Sequence, residues 1–391
     1  MAHFPAALVM ETNVAQSEPL TTYFLALSLG LVACAGRSFT APALSDAGGS
    51  TQVPESRELV EASIQTPEGG GGPVETSAYI DGAMSDEVAE AAAGADAALD
   101  AASGPAGTFV AVGYGGRRVR SIDNGKTWID DQSLEPDGGG DDEDLLRTIT
   151  FGNGVFFAAG WQTLTSPDGK TWGPVINPHL NWFGALTYAS SMWVGVGGYG
   201  MRVTSPDGVT WTDHAIDTTA SHPHGCLTVA TAPTTAFVAC NDLGQRSYAS
   251  DGATWKYSTG VTDVMSSQVT FGNGVVVGTD GTTMVLSRDA GATWTKAAAL
   301  DVAGGGMVFA QGHFTILATD FVYTSNDGSA WTKNPALGIH PGALAFGDGT
   351  YVAIVNGHRF QRSTDGIAWD APVNDTSTIN SLEWVAFGPA Q

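Results

Sequence analysis

Six histidines, His179, His214, His222, His224, His340 and His358, fall in stretches that read as loops, alongside Tyr114, Trp161, Trp182, Phe183 and Tyr199. Imidazoles hold metals or carry protons, and aromatic faces stack on flat apolar surfaces such as those of a sugar. In Ser221-His222-Pro223-His224-Gly225 two imidazoles share one side of an extended segment. No spacing among them is a metal signature, so no metal site is expected. The bland reading is solvated loop histidines; the sharper one is a ligand-binding face contributed by Trp161, His179, Trp182, Tyr199, His222, His224, His340 and His358. The acidic run from Glu135 to Asp144 lacks the alternating order of a calcium loop. It is expected to be solvated, with weak calcium binding as the alternative, and no other cofactor is implied. Cys226 and Cys240 flank a turn near Pro233 at equal offsets, which places them opposite each other on neighbouring strands. Oxidised, they would close a loop worth roughly 3 kcal/mol in the chain-entropy model; free thiols would argue against export.

The elements that must carry these residues are set by repetition. Close variants of Ser205-Pro-Asp-Gly-Val-Thr-Trp211 occur seven times, ending in Trp128, Trp172, Trp211, Trp255, Trp294, Trp331 and Trp369, which lie 37 to 44 residues apart. A period near forty is one supersecondary unit. In the unit from Leu145 to Ile176, Gly152-Asn153-Gly154 joins two apolar runs and Pro167-Asp168-Gly169 joins two more. Both are tight-turn signals, so each unit reads as four antiparallel strands that bury their faces only against neighbouring units. The first unit starts at Gly107 without an inner strand, and Ser381 to Gln391 supplies one. The expected fold is all-β: a seven-bladed propeller whose C-terminal strand completes the first blade.

The recurring turn resembles the Asp-box, or BNR repeat, Ser-x-Asp-x-Gly-x-Thr-Trp. SIDNGKTW (121–128) and SRDAGATW (287–294) match in full, the other five are one residue shorter, and Ala249 replaces one serine. The resemblance covers 107–391 and implies a propeller like those of sialidases, sortilin-like receptors, some xyloglucan-active hydrolases and photosystem assembly factors. It says little of activity. Asp123, Asp168, Asp207, Asp251, Asp289, Asp327 and Asp365 can each accept N–H bonds within their own turn, and seven equivalent copies point to a structural role. A sialidase would need an arginine triad, a tyrosine with an acid partner and an Arg-Ile-Pro element. The last is absent, and Arg117, Arg118, Arg120, Arg202, Arg246, Arg359 and Arg362 read as solvated.

Leu20 to Cys34 is an apolar run ending in Leu-Val-Ala-Cys, which resembles a bacterial lipobox, although Met1 to Pro19 holds no lysine or arginine. Residues 1–34 are read as a signal with acylation at Cys34. Residues 35–106 hold twelve acids and two bases and read as an acidic low-complexity linker, and 107–391 as the propeller. With 16 basic against 40 acidic residues and a net charge of -24, nucleic acid is a poor partner, and membrane contact is expected only through the anchor. The functional expectation is a monomeric, non-catalytic module, exported to the cell envelope or otherwise secreted, that binds a protein or glycan at the end opposite the repeated turns. A sialidase-like glycoside hydrolase and an assembly factor are the alternatives.

Overall fold

The computed structural model describes residues 106–390 apart from 136–143, 177–180, 215–223, 232, 242, 262, 265 and 375–379, and describes only the backbone of 224 and 225. The expected signal, the linker and Cys34 lie outside the described residues.

Phe151-Gly152-Asn153-Gly154 forms the first hairpin turn as its sequence requires. Asn153 and Gly154 take φ of 49° and 78°, the pair of left-handed residues that matches the twist of the flanking strands. The same turn recurs at Asn273-Gly274, Gln311-Gly312 and Asp348-Gly349, and at Ser190-Ser191 it is built without glycine.

These hairpins assemble seven antiparallel blades. Blade 2 pairs β4 (Leu146–Gly152), β5 (Val155–Gly160) and β6 (Thr163–Ser166), with a single bridge from Thr163 to Ile176 in place of a fourth strand. Blade 3 runs β7 (Phe183–Ala189) to β10 (Thr212–Asp213), with β8 (Met192–Gly197) and β9 (Arg202–Ser205) between. Blade 4 holds β11 (His224–Ala230), β12 (Ala236–Asn241), β13 (Arg246–Ala249) and β14 (Lys256–Tyr257). Blade 5 holds β16 (Gln268–Gly272), β17 (Val275–Thr279), β18 (Thr283–Ser287) and β19 (Thr293–Ala299), to which β15 (Thr259–Gly260) adds in parallel. Blade 6 spans β20 (Gly304–Ala310) to β23 (Thr332–Pro335), and blade 7 spans β24 (Leu344–Gly347) to β27 (Val373–Asn374). Blade 1 is the closing one: β28 (Leu382–Gly388) lies beside β1 (Thr108–Gly113), with Thr108 opposite Gly388 and Val110 opposite Ala386, followed by β2 (Arg118–Ser121) and β3 (Ile129–Gln132). The innermost strands β28, β4, β7, β11, β16, β20 and β24 touch in that cyclic order, so the ring is shut.

The core is the seven gaps between blades. Each repeated tryptophan fills one: Trp128 stacks on Phe360 of blade 7 with ring centroids 3.7 Å apart, and Trp294 packs on Val238 and Cys240 of blade 4. Trp128, Trp211, Trp255 and Trp331 sit just ahead of the outer strand and Trp294 sits within it. Nearer the axis, the Phe-Gly ends of the inner strands interlock. A Cβ on Gly152, Gly272, Gly347 or Gly388 would run into Tyr188, Phe309, Phe387 or Phe151 of the next blade. A flat ring therefore sits on a backbone that only glycine exposes, and the closing strand takes part on both sides. Cys226 and Cys240 are directly opposite in register, with Cα atoms 5.3 Å apart and sulfurs in bonding contact.

Candidate functional site

The strand order gives the ring two unlike ends. Hairpin turns after the first and third strands lie at one, and the second-to-third turns and inter-blade connections lie at the other.

At the first end the serine–aspartate turns are closed units. In blade 3 Ser205 Oγ donates to Asp207 Oδ1 (2.9 Å) and accepts the Gly208 N–H (2.8 Å), while Asp207 Oδ1 accepts the Val209 and Thr210 N–H groups. The same set recurs at Ser121, Ser166, Ser287, Ser325 and Ser363. In blade 4, where Ala249 stands, Asp251 still accepts from Ala253 and Thr254. The Thr210 and Val209 N–H groups hold Asp207 at about 2, and Thr254 does the same for Asp251. Carboxylates this acidic and this fully engaged do not act as proton carriers near neutral pH. Each turn also docks on the preceding blade: a Cβ at Gly208 would meet Phe157, and one at Gly252 would meet Val194.

The arginines do not lie where a charged residue before a turn is expected. Arg117, Arg118, Arg202 and Arg246 are buried. Arg118, Arg202 and Arg246 open the third strands of their blades, and in each Nη1 donates to the carbonyl two residues back, Gly116, Gly200 or Gly244. Each guanidinium then faces the next blade's tryptophan: Arg118 over Trp172 (5.5 Å), Arg202 over Trp255 (5.5 Å), Arg246 over Trp294 (4.8 Å). Burial lowers the Arg246 guanidinium to about 10. Arg117 pairs with Asp131 (2.7 Å) and donates to the Asn380 carbonyl, joining blade 1 to the connection that precedes β28. These cations are struts between blades, and the signal for them, an arginine at the same place in three repeats, is in the sequence.

The second end carries the aromatic residues. Leu146 is opposite Gly160 and Phe183 is opposite Gly197, so Trp161 lies beside the start of β4 and Trp182 lies beside the Gly198–Gly200 turn that holds Tyr199. Arg147, in the bulge of β4, reaches across the gap and stacks its guanidinium over Trp182 at 4.9 Å. The result is a patch of Trp161, Arg147, Trp182 and Tyr199 spanning blades 2 and 3, in which Tyr199 is 61% exposed. Tyr114 stands on the matching turn of blade 1, its N–H bonded to the Ser381 carbonyl. Phe183 belongs to the core rather than to this surface.

Of the other candidates, His340 and His358 are half-buried on connections of blades 6 and 7, remote in the ring order from the blade 2 and 3 patch. His224 opens β11 opposite Asn241. His179 and His222 lie outside the described residues, as does most of the Glu135–Asp144 run. His214 Nε2 is 2.8 Å from Thr204 Oγ1 at the rim of blade 3. Among the described residues no three histidine, cysteine or acidic side chains gather to hold a metal, and no helix is long and apolar enough to cross a membrane. Hollows of about 250 and 140 Å³ lie over Tyr248 and Lys256 at the first end and over Arg246 and Tyr257 at the second. Both are smaller than the roughly 300–1,000 Å³ of usual small-molecule pockets.

No family model matches the chain, and no curated protein does. Among solved structures, a protein assigned as a 6-phosphogluconolactonase from Bacteroides uniformis is similar at a TM-score of 0.51 and 9% identity, covering 73% of this chain and 100% of its own. Apo AztD from Citrobacter koseri is similar at 0.50 and 9%, covering 72% and 97%. YCF48 from Cyanidioschyzon merolae is similar at 0.45 and 15%, covering 61% and 86%. At these identities the likeness is one of fold alone: the chain is a seven-bladed β-propeller.

Proposed function

We propose that the protein is a non-catalytic binding module of the Asp-box kind that presents the aromatic end of its ring to a protein or glycan. The observation that carries this reading is the patch of half-buried Trp161 and Trp182 with exposed Tyr199 on the end whose connections vary, with no cluster of three histidine, cysteine or acidic side chains among the described residues. The Asp-box reading draws support from the Ser–Asp–Gly bonding repeated around the ring. A sialidase-type hydrolase would need several arginines converging on one substrate carboxylate. Here Arg118, Arg202 and Arg246 each face a tryptophan in a different gap, which favours binding over that chemistry. In the same proposal Cys34 carries the lipid anchor of an envelope protein, the acidic segment after it is a spacer, and Cys226 and Cys240 form the disulfide of an exported domain.

The test is direct. Immobilised full chain is probed with glycan and peptide arrays, with Tyr199→Ala and Trp161→Ala as site variants and a fluorogenic sialoside as the catalytic control. Ligand capture lost in both variants, with no phenol released, is the expected result; sialoside turnover would sink it. Palmitate labelling lost in Cys34→Ala tests the anchor separately.

A further inference from the structure

The turn between the second and third strands is the same structural position in every blade, yet its occupants divide the ring. Blades 1, 2 and 3 place Tyr114, Trp161 and Tyr199 there, while blades 5, 6 and 7 place Asp280, Asp320 and His358. Tyr114 and Tyr199 sit in matching single turns of 3-10 helix and are 36% and 61% exposed. Tyr199 holds a φ of 51° where blade 1 has Gly115 at 61°. A tyrosine in the left-handed region costs on the order of 1 kcal/mol, and a mostly exposed ring recovers little of it by burial. Core packing therefore gives no reason for an aromatic side chain there.

The surroundings select the ligand chemistry. Glycines 160, 198 and 200 flank Trp161 and Tyr199, of which Trp161 is half-buried and Tyr199 exposed. The polar side chains beside them, Gln162 and Asn181, are neutral amides. The cations at these turns, Arg118, Arg147 and Arg202, are buried and committed to Trp172, Trp182 and Trp255. On the blade 1 side Glu135 is bonded through its N–H to the Gly115 carbonyl, which sets an exposed acid next to Tyr114. No aliphatic pocket adjoins the three turns among the described residues. An exposed tyrosine ring, neutral amides and a nearby carboxylate suit the C–H faces and hydroxyls of an uncharged sugar; they do not suit an acidic one. Repetition of one aromatic per blade suits a ligand that is itself a repeat.

Resting on the reading of this end as the binding face, we infer that it takes a neutral glycan chain laid across blades 1 to 3, with one sugar unit on each of Tyr114, Trp161 and Tyr199. The experiment is affinity electrophoresis of the full chain in native gels containing glucomannan, xyloglucan or mixed-linkage β-glucan, with polygalacturonate as the acidic polymer and a soluble proline-rich peptide titrated separately. Retardation by at least one neutral polysaccharide is expected. Tyr199→Ala and Trp161→Ala should each raise Kd about tenfold or more. Leu337→Ser, on the connection between blades 6 and 7 and 90% exposed, should leave it unchanged. Unaltered melting temperatures for the exposed-tyrosine variant separate lost contact from lost fold. If only polygalacturonate or the peptide binds and Tyr199→Ala abolishes it, the glycan assignment is overturned while the binding face stands. If a neutral glycan binds equally well in both aromatic variants, the face itself is wrong. Binding of no polymer and no peptide overturns the inference.

Discussion

At the scale of single residues, the carboxylates of the repeated turns act on stability through pH. Asp207 and Asp251 ionise near 2 in the folded chain against about 4 when free, so their contribution is fully present above pH 4 and is lost as pH falls towards 2. Urea midpoints measured from pH 5 to pH 2 should decline chiefly in that window, and a profile flat there would contradict the account. Asp289→Ala removes bonds from Thr293 N–H and Oγ1 and from Ser287 Oγ, and should cost about 1 kcal/mol in chemical denaturation. Arg246 spans the Gly244, Val261 and Val264 carbonyls and Ser266 Oγ with one planar fork. Lysine cannot reach all four, so Arg246→Lys is expected to lose about 2 kcal/mol, and a variant as stable as the parent would show that the strut is dispensable. None of this was legible from charge alone. An arginine ahead of a turn looks solvated until the tryptophan it faces, a full repeat further on, is brought beside it by the ring.

At the scale of elements, the hairpins were readable because asparagine and glycine announce left-handed turns, and the observed φ values at Asn153 and Gly154 follow. The second role of the Phe-Gly pair was hidden, since the ring that rests on each glycine belongs to the following blade. Gly272→Ala should therefore destabilise by roughly 2–3 kcal/mol through collision with Phe309, and Phe309→Leu in the same chain should return part of that loss. Thermal unfolding of the two single variants and the double variant measures the coupling; strict additivity would mean that the two residues do not meet. Blade 2 departs from the pattern because Gly173 and Pro174 stand where Ile129, Thr212, Tyr257, Thr295 or Thr332 follows five of the other tryptophans, leaving only the Thr163–Ile176 bridge. The aromatic patch was only partly visible for a similar reason. Trp161, Trp182 and Tyr199 could be assigned to one end, but the Arg147 stack that orients Trp182 crosses from one blade to the next.

At the scale of the molecule, counting repeats and noticing an unpaired beginning and a leftover end sufficed to foresee closure, and β28 beside β1 bears it out. Removing Ser381–Gln391 would bare the edge of β1, uncover Phe109 and leave Phe151 without Gly388 beneath it. Such a truncation should lose cooperative unfolding, seen as a broad, low-enthalpy calorimetric transition; a sharp transition at the parental temperature would mean that the ring holds without its last strand. The same arrangement has a mechanical meaning. The chain comes into the ring through Gly107, tied to Asp348, and continues directly into a strand gripped along its length by β28 on one flank and β2 on the other. Tension applied to the preceding segment therefore loads two ladders together in shear rather than peeling one open bond by bond.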